Sequence, residues 1–151
     1  MANKKLLECL NRALSIEYSA VIQYCQQSAL VAGMDRKIYE GFFNTSSEEA
    51  RTHAKKVADW IVSLGGVPTI EAAHIHQSTD LEEMLRQDLE TERQAVAAYT
   101  EAHASVKGDE PIKFMLEEQI MLEQDDVWEI EKFLRLQAVK VSKKTIDLQA
   151  S

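Results

Sequence analysis

A glutamate in the middle of an apolar helical stripe occurs twice in this chain, and this repeat limits the possible folds more than any other feature. Residues 14–24 read Leu-Ser-Ile-Glu-Tyr-Ser-Ala-Val-Ile-Gln-Tyr, with Glu17 inside the stripe. Residues 89–99 repeat the pattern Leu-x-x-Glu-x-x-Ala-Val-x-x-Tyr, with Glu92 at the matching position. At helical spacing both carboxylates face the core. Because a buried carboxylate needs a partner or a metal, the repeat predicts a polar centre between helices.

Helix-breaking residues divide the chain into four predicted helices. They cover residues 3–31, 35–64, 79–108 and 111–138, with Gly33, Gly65, Gly108 and Pro111 near their ends. The third is expected to open with a capping box from Thr79 to Glu82. Residues 68–78 lack periodicity and form a predicted loop that contains His74 and His76.

The connections between these helices are short, long and short, which predicts an all-α fold. The expected architecture is an antiparallel four-helix bundle with one long crossover between the second and third helices. We expect residues 1–138 to form the bundle and residues 139–151 to form a polar tail or a short helix.

Composition narrows the classes of partner. The 151 residues, 45% of them hydrophobic, suffice for one domain with a real core. The formal charge of −8 argues against nucleic acid, and no stretch suggests a membrane span. The N-terminal sequence lacks a secretory pattern, so we expect a cytoplasmic protein. Cys9 and Cys25 would lie about 24 Å apart on one helix and are predicted to be free thiols.

Five ionisable residues near the helix midpoints predict a metal centre. Glu17, His53 and Glu92 come from the first three helices, and Glu123 and Asp126 share one face of the fourth. Four carboxylates and one imidazole match two divalent cations, and favour iron or manganese over structural zinc. The alternative is a set of satisfied core residues, with the glutamates protonated or bonded to tyrosines such as Tyr24 and Tyr99.

Asp88 and the two loop histidines are less clearly connected with this predicted metal centre. Asp88, one turn before Glu92, fits either a residue supporting the centre or a charge at the helix rim. His74 and His76 are expected to be exposed to solvent rather than to bind metal.

These motifs resemble the ferritin-like superfamily, and bacterioferritins in particular. The resemblance covers residues 3–138 and rests on Asn-Arg-Ala-Leu-Ser-Ile-Glu-Tyr around Glu17, on His53 followed by Val-Ser-Leu-Gly-Gly-Val-Pro, and on Asp-Leu-Glu-Glu-Met-Leu-Arg-Gln-Asp-Leu-Glu-Thr-Glu up to Glu92. That family supplies Glu from the first and third helices and Glu-x-x-His from the second and fourth. This chain departs at Ala50, in place of a bridging glutamate, and at Asp126, in place of a histidine.

The resemblance implies a di-metal site. Glu17 and His53 would hold one metal, Glu92 and Asp126 the other, and Glu123 would bridge them. Glu49, next to Ala50, is an additional candidate ligand. We expect two Fe ions per subunit, with Mn or a mixed pair as the alternative. We expect no haem, since Arg51 takes the place of the family's haem-binding methionine.

The function implied is oxidation of Fe(II) by O2 or peroxide, with a part in iron storage or detoxification. Glu17, His53, Glu92 and Glu123 are the implied catalytic residues. The implied assembly is a homo-oligomer, at least a dimer. Two alternatives stay open at this point: a non-catalytic ferritin-like subunit with a structural or interaction role, and a manganese or mixed-metal oxidase.

Overall fold

Four long helices make up the part of the chain that the structure describes. The computed structural model describes residues 3–141, and in that range there is no β-strand. The helices are α1 (Lys4–Leu30), α2 (Arg36–Ser63), α3 (Leu81–Ala104) and α4 (Glu110–Val141). The predicted all-α four-helix fold is therefore confirmed.

The helix ends follow local capping chemistry. Asn3 accepts a hydrogen bond from the Leu6 amide at the start of α1, and Asp109 accepts one from the Ile112 amide at the start of α4. Gly65 has a φ of 81°, the left-handed conformation expected after α2.

The capping box predicted to begin at Thr79 is wrong by one residue. Asp80, in extended conformation, is the N-cap of α3, and its carboxylate accepts a 2.9 Å hydrogen bond from the Glu83 amide. An aspartate is a strong N-cap, and it places Glu83 rather than Glu82 at the third helical position.

The crossover between α2 and α3 runs along α1. Asn11 donates its side-chain amide to the Val67 carbonyl at 3.2 Å, Ala73 donates its backbone N–H to the Ser15 carbonyl at 2.9 Å, and His76 donates its backbone N–H to Gln23 Oε1 at 3.0 Å. The connection thus carries the chain back along the length of the bundle. As a result α3 runs antiparallel to α1. Helix α1 packs against both α2 and α3, and α4 packs against α3.

The core consists of two apolar clusters with a polar layer between them. One cluster contains Leu10, Leu14, Val57, Ile61, Tyr99 and Leu116. The other contains Tyr24, Phe43, Met84, Leu89, Val127 and Ile130. On each helix the sequence passes from one cluster to the other at an ionisable residue. The fold therefore brings the predicted ligands to the middle of the bundle.

The ends of the chain and the cysteines complete the description. Helix α4 continues to Val141, and residues 142–151 of the predicted tail lie outside the described residues, so the division at residue 138 stays a prediction. Cys9 and Cys25 are free, the first buried and the second exposed. Within residues 3–141 no helix combines the length and apolarity that crossing a membrane requires.

Candidate metal centre

The five predicted ligands lie together between the two apolar clusters. Glu17, Glu92 and Glu123 are 3%, 6% and 1% exposed. The His53 side chain keeps 12% exposure, and Asp126 is half-buried. Each side chain points inward because it occupies an apolar-stripe position of its helix. The structure thus places four acidic groups and one imidazole in one layer of the core.

One group of three potential ligands combines nitrogen and oxygen donors. Glu17, His53 and Glu123 each offer one atom, and these atoms lie within 4.8 Å of one another. His53 Nδ1 is 3.1 Å from Glu123 Oε1 and 3.7 Å from Glu17 Oε1. Three helices, α1, α2 and α4, therefore converge on a space that a single cation could fill.

A second group offers only carboxylate oxygens. Glu92, Glu123 and Asp126 each present one oxygen, and these atoms also lie within 4.8 Å of one another. Glu123 belongs to both groups, so its carboxylate lies between two neighbouring ligand sets. This is the arrangement expected of a pair of metal positions with one shared carboxylate.

Two buried tyrosines hold the glutamates of the repeated motif. The Tyr99 hydroxyl donates to Glu17 Oε1 at 2.8 Å, and the Tyr24 hydroxyl donates to Glu92 Oε1 at 2.6 Å. Each phenol therefore supports the carboxylate of the other copy of the motif. A metal-ligand carboxylate is commonly oriented by such an outer hydrogen bond.

Gln119 is a residue of the centre that the sequence reasoning missed. It is fully buried, and its Nε2 donates to Glu123 Oε1 at 2.8 Å. The available signal was its position four residues before Glu123 on the same inward stripe of α4.

The charges in this layer strongly perturb one another. Burial raises the pKa of Asp126 to about 8, and repulsion from Glu92 and Glu123 adds to the shift. Burial also raises the pKa of Glu92 and of Glu123. Burial lowers the pKa of His53, but the hydrogen bonds to Glu123 and Glu17 outweigh it and raise that pKa. The carboxyl groups of Glu92, Glu123 and Asp126 therefore bind protons more tightly than ordinary carboxyl groups, and a cation would displace these protons.

Glu49 does not join either ligand group. It is exposed, and it lines an open cleft of about 290 Å³ together with His53, Leu122, Asp125 and Asp126. Because it lines this cleft beside His53 and Asp126, Glu49 lies at the mouth of the centre, where its charge adds to the repulsion that raises the pKa of Asp126. Ala50, beside it, is 5% exposed and offers no ligand atom.

The donor set fits divalent cations that prefer oxygen and nitrogen. Two triads share one carboxylate, the donors are almost all buried, and the cleft leads from solvent to His53 and Asp126. Fe(II) and Mn(II) suit carboxylate and imidazole ligands. Glu17, His53 and Glu123 would hold one ion, and Glu92, Glu123 and Asp126 the other.

Asp88 belongs to a separate buried polar network rather than to the helix rim. It is fully buried, and its Oδ1 accepts from Gln23 Nε2 and Gln27 Nε2, both at 2.8 Å. Gln23 also donates to Thr91 Oγ1 at 3.2 Å. The sequence signal was the i, i+4 spacing of the two glutamines on α1. Of the two loop histidines predicted to be exposed, His74 is exposed but His76 is half-buried, and their rings pack with centroids 4.6 Å apart.

Known proteins resemble this chain in both sequence and structure. A sequence model of the ferritin-like domain matches residues 7–138. A bacterial ferritin of Neisseria meningitidis serogroup B is 34% identical over 91 residues, which is 60% of this chain and 58% of the relative. A bacterial non-heme ferritin of Staphylococcus epidermidis is 36% identical over 88 residues, 54% of this chain and 51% of the relative. The chain thus matches little more than half the length of these relatives.

Solved structures resemble a larger part of the chain. A ferritin-like, diiron-carboxylate protein from Bacillus anthracis has a TM-score of 0.84 at 30% identity, covering 87% of this chain and 96% of that one. A dodecameric thioferritin, the bacterioferritin-related protein from Bacteroides fragilis, has a TM-score of 0.84 at 27% identity, covering 95% of this chain and 92% of that one.

Proposed function

This chain belongs to the ferritin-like domain family, and from that premise we propose that it oxidises Fe(II) at the centre between its four helices. The observation that carries the proposal is the position of Glu123, which contributes to both ligand triads. Two substrate ions held on one shared carboxylate lie close enough together to give up their electrons to a single oxidant. Iron storage or detoxification is the proposed physiological role.

The proposed reaction uses two electrons, one from each Fe(II). With O2 as the oxidant, two Fe(II) and two protons yield two Fe(III) and one H2O2. With H2O2 as the oxidant, two Fe(II) and two protons yield two Fe(III) and two water molecules. Both forms balance, and both need a site that holds two Fe(II) at once.

The protein residues bind and orient the substrate ions. Glu17 and Glu92 are held by phenol hydrogen bonds, and Glu123 by Gln119, so that three of the carboxylates are fixed before iron arrives. The acidic cleft beside Glu49 and Asp125 attracts cations toward His53 and Asp126. Binding of Fe(II) displaces protons from the carboxyl groups of Glu92, Glu123 and Asp126.

The test is anaerobic loading with two equivalents of Fe(II) per chain, followed by rapid mixing with oxygenated buffer and measurement of Fe(III) absorbance. We expect oxidation much faster than in buffer alone, and its loss in Glu17→Ala and Glu123→Ala. The matched control is Glu118→Gln, an exposed carboxylate on the same helix, which should keep the parent rate.

Ala50 favours one rival function, a ferritin-like subunit without catalysis. The chain lacks the bridging carboxylate that the resemblance places at this position, and Glu49 is exposed instead of replacing it. Oxidation no faster than in buffer would overturn the ferroxidase proposal. Together with normal folding and assembly, that result would support the structural role.

We also propose that the protein assembles as a homo-oligomer, at least a dimer. The related thioferritin is dodecameric, which supports assembly in this part of the family. Sedimentation of the full chain would give the number of subunits. The cytoplasmic location expected from the sequence stays a prediction.

A further inference from the structure

The two halves of the centre differ in one donor atom. One half combines His53 with two carboxylates, Glu17 and Glu123. The other half has no imidazole and consists of Glu92, Glu123 and Asp126. Glu123 is common to both halves, and Glu17 in one half corresponds to Glu92 in the other. The chemical difference is therefore His53 in one half and Asp126 in the other.

The surrounding hydrogen bonds do not compensate for this difference in donor atoms. Each half has one glutamate held by one phenol, Glu17 by Tyr99 at 2.8 Å and Glu92 by Tyr24 at 2.6 Å. Gln119 supports the shared Glu123 through Oε1, the oxygen that lies 3.1 Å from His53 Nδ1. The remaining asymmetry is that of an imidazole nitrogen against a carboxylate oxygen.

This asymmetry has a predictable effect on cation preference. An imidazole strengthens binding of Zn(II), Co(II) and Fe(II) more than that of Mn(II), whereas a site made only of oxygen donors discriminates less among these ions. Asp126 is also half-buried at the edge of the cleft, where a cation can keep water ligands, as hard cations prefer.

We propose that Asp126 determines the metal selectivity of the centre, so that the Glu17–His53–Glu123 half takes the cation with nitrogen affinity and the Glu92–Glu123–Asp126 half accepts Mn(II). The inference rests on the proposed use of these triads as metal sites and extends it from a pair of equal positions to a pair of unequal ones. In a mixture of cations, the one with nitrogen affinity would therefore bind in the His53 half and Mn(II) in the Asp126 half.

The test uses metal-free full-length protein, one equivalent of Zn(II) per chain and a tenfold excess of Mn(II), without oxygen. Anomalous diffraction at the Zn and Mn edges locates each metal, and the Mn(II) EPR signal measures manganese binding in solution. We expect zinc occupancy about tenfold higher in the His53 half, with Mn(II) in the other half.

Two variants make the test specific. Asp126→His supplies the second half with an imidazole, so zinc should then divide about equally between the halves and bound Mn(II) should fall. Glu118→His adds an imidazole to the same helix at an exposed position outside both triads and outside the cleft, and should keep the parent distribution. The thermal unfolding curve of each variant checks that it is folded.

Equal zinc occupancy in the two halves of the parent protein would overturn this inference and leave Fe(II) oxidation standing. An unchanged distribution in folded Asp126→His would also overturn it. Sorting of the two cations in a protein that fails to oxidise Fe(II) would support the inference and contradict the proposed ferroxidase. Failure to bind either cation would overturn both.

Discussion

The Tyr24 hydroxyl of α1 donates a 2.6 Å hydrogen bond to Glu92 Oε1 of α3, across the bundle. In the matching bond the helices exchange roles, and the Tyr99 hydroxyl of α3 donates to Glu17 Oε1 of α1 at 2.8 Å. The two copies of the sequence motif therefore contact each other, and each copy supplies the phenol that binds the carboxylate of the other. This pair of bonds links α1 to α3 at the level of the candidate metal centre and orients both glutamates.

Removing either phenol should weaken the centre without unfolding the protein. Tyr24→Phe leaves Glu92 without its donor, and Tyr99→Phe does the same to Glu17. Because outer hydrogen bonds orient ligands, we expect each change to lower metal affinity by about tenfold. Anaerobic Co(II) titration measures this. Tyr39→Phe, in a ring that packs on Phe133 with centroids 5.5 Å apart, is the control and should bind like the parent.

Glu123 and Glu17 should differ in the number of metal ions that depend on them. Glu123 serves both triads and Glu17 only one. Glu123→Gln should therefore impair both positions, whereas Glu17→Gln should leave about one ion per chain bound. Metal analysis after desalting measures the stoichiometry. An equal loss in the two variants would contradict the shared role of Glu123.

Cation affinity should rise with pH. The pKa of Asp126 is raised to about 8 by burial and by repulsion from Glu92 and Glu123, so at lower pH protons compete with the metal. We expect Co(II) affinity to increase between pH 6 and 8, by about tenfold per pH unit for each proton displaced. Asp126→Asn, which carries no such proton, should show a shallower dependence. Affinity independent of pH in the parent would contradict this electrostatic account.

Restoring the missing glutamate should lower the stability of the metal-free protein and raise its affinity for metal. Ala50→Glu adds a carboxylate at a site only 5% exposed, and an unpaired buried charge is destabilising. Without metal the variant should unfold at a lower temperature than the parent. With saturating Co(II) it should gain more stability than the parent, since tighter binding to the folded state raises the unfolding temperature. Differential scanning calorimetry with and without Co(II) measures both effects.

Asp88 should make the stability of the metal-free protein depend on pH. Burial, partly offset by hydrogen bonds from Gln23 and Gln27, raises the pKa of Asp88 to about 7, against about 3.9 in an unfolded chain. Between these values the folded state keeps a proton that the unfolded state has lost. Asp88 therefore lowers stability by about 1.4 kcal/mol per pH unit as pH rises from about 4 to 7, and the loss persists above pH 7.

Asp88→Asn removes this titration while keeping an oxygen for both glutamines. The variant should be more stable than the parent at pH 8, and the difference should shrink toward pH 4. Urea unfolding in the presence of a chelator measures the free energy of unfolding at each pH. Asp125→Asn, at an exposed position, should follow the parent. A constant difference across the pH range would contradict the raised pKa.

Much of the fold could be predicted because it depends on local patterns. Apolar positions at helical spacing defined four helices, and glycines and prolines marked their ends to within a few residues. The capping error at Thr79 was local too, since Thr79 and Asp80 are both good caps and only the backbone conformation distinguishes them. Helix length and connection length then favoured the bundle with one crossover.

The details of the centre depended on contacts between helices. The sequence alone determined that Glu17, His53, Glu92, Glu123 and Asp126 face inward near one level, because helical periodicity sets the face and distance along the helix sets the height. Only the tertiary structure decided that Glu123 serves both triads, that the tyrosines cross over, that Asp88 joins two glutamines and that Glu49 stays in the cleft. Those outcomes depend on how far each helix rotates about its axis and how its neighbours pack, which local periodicity leaves open.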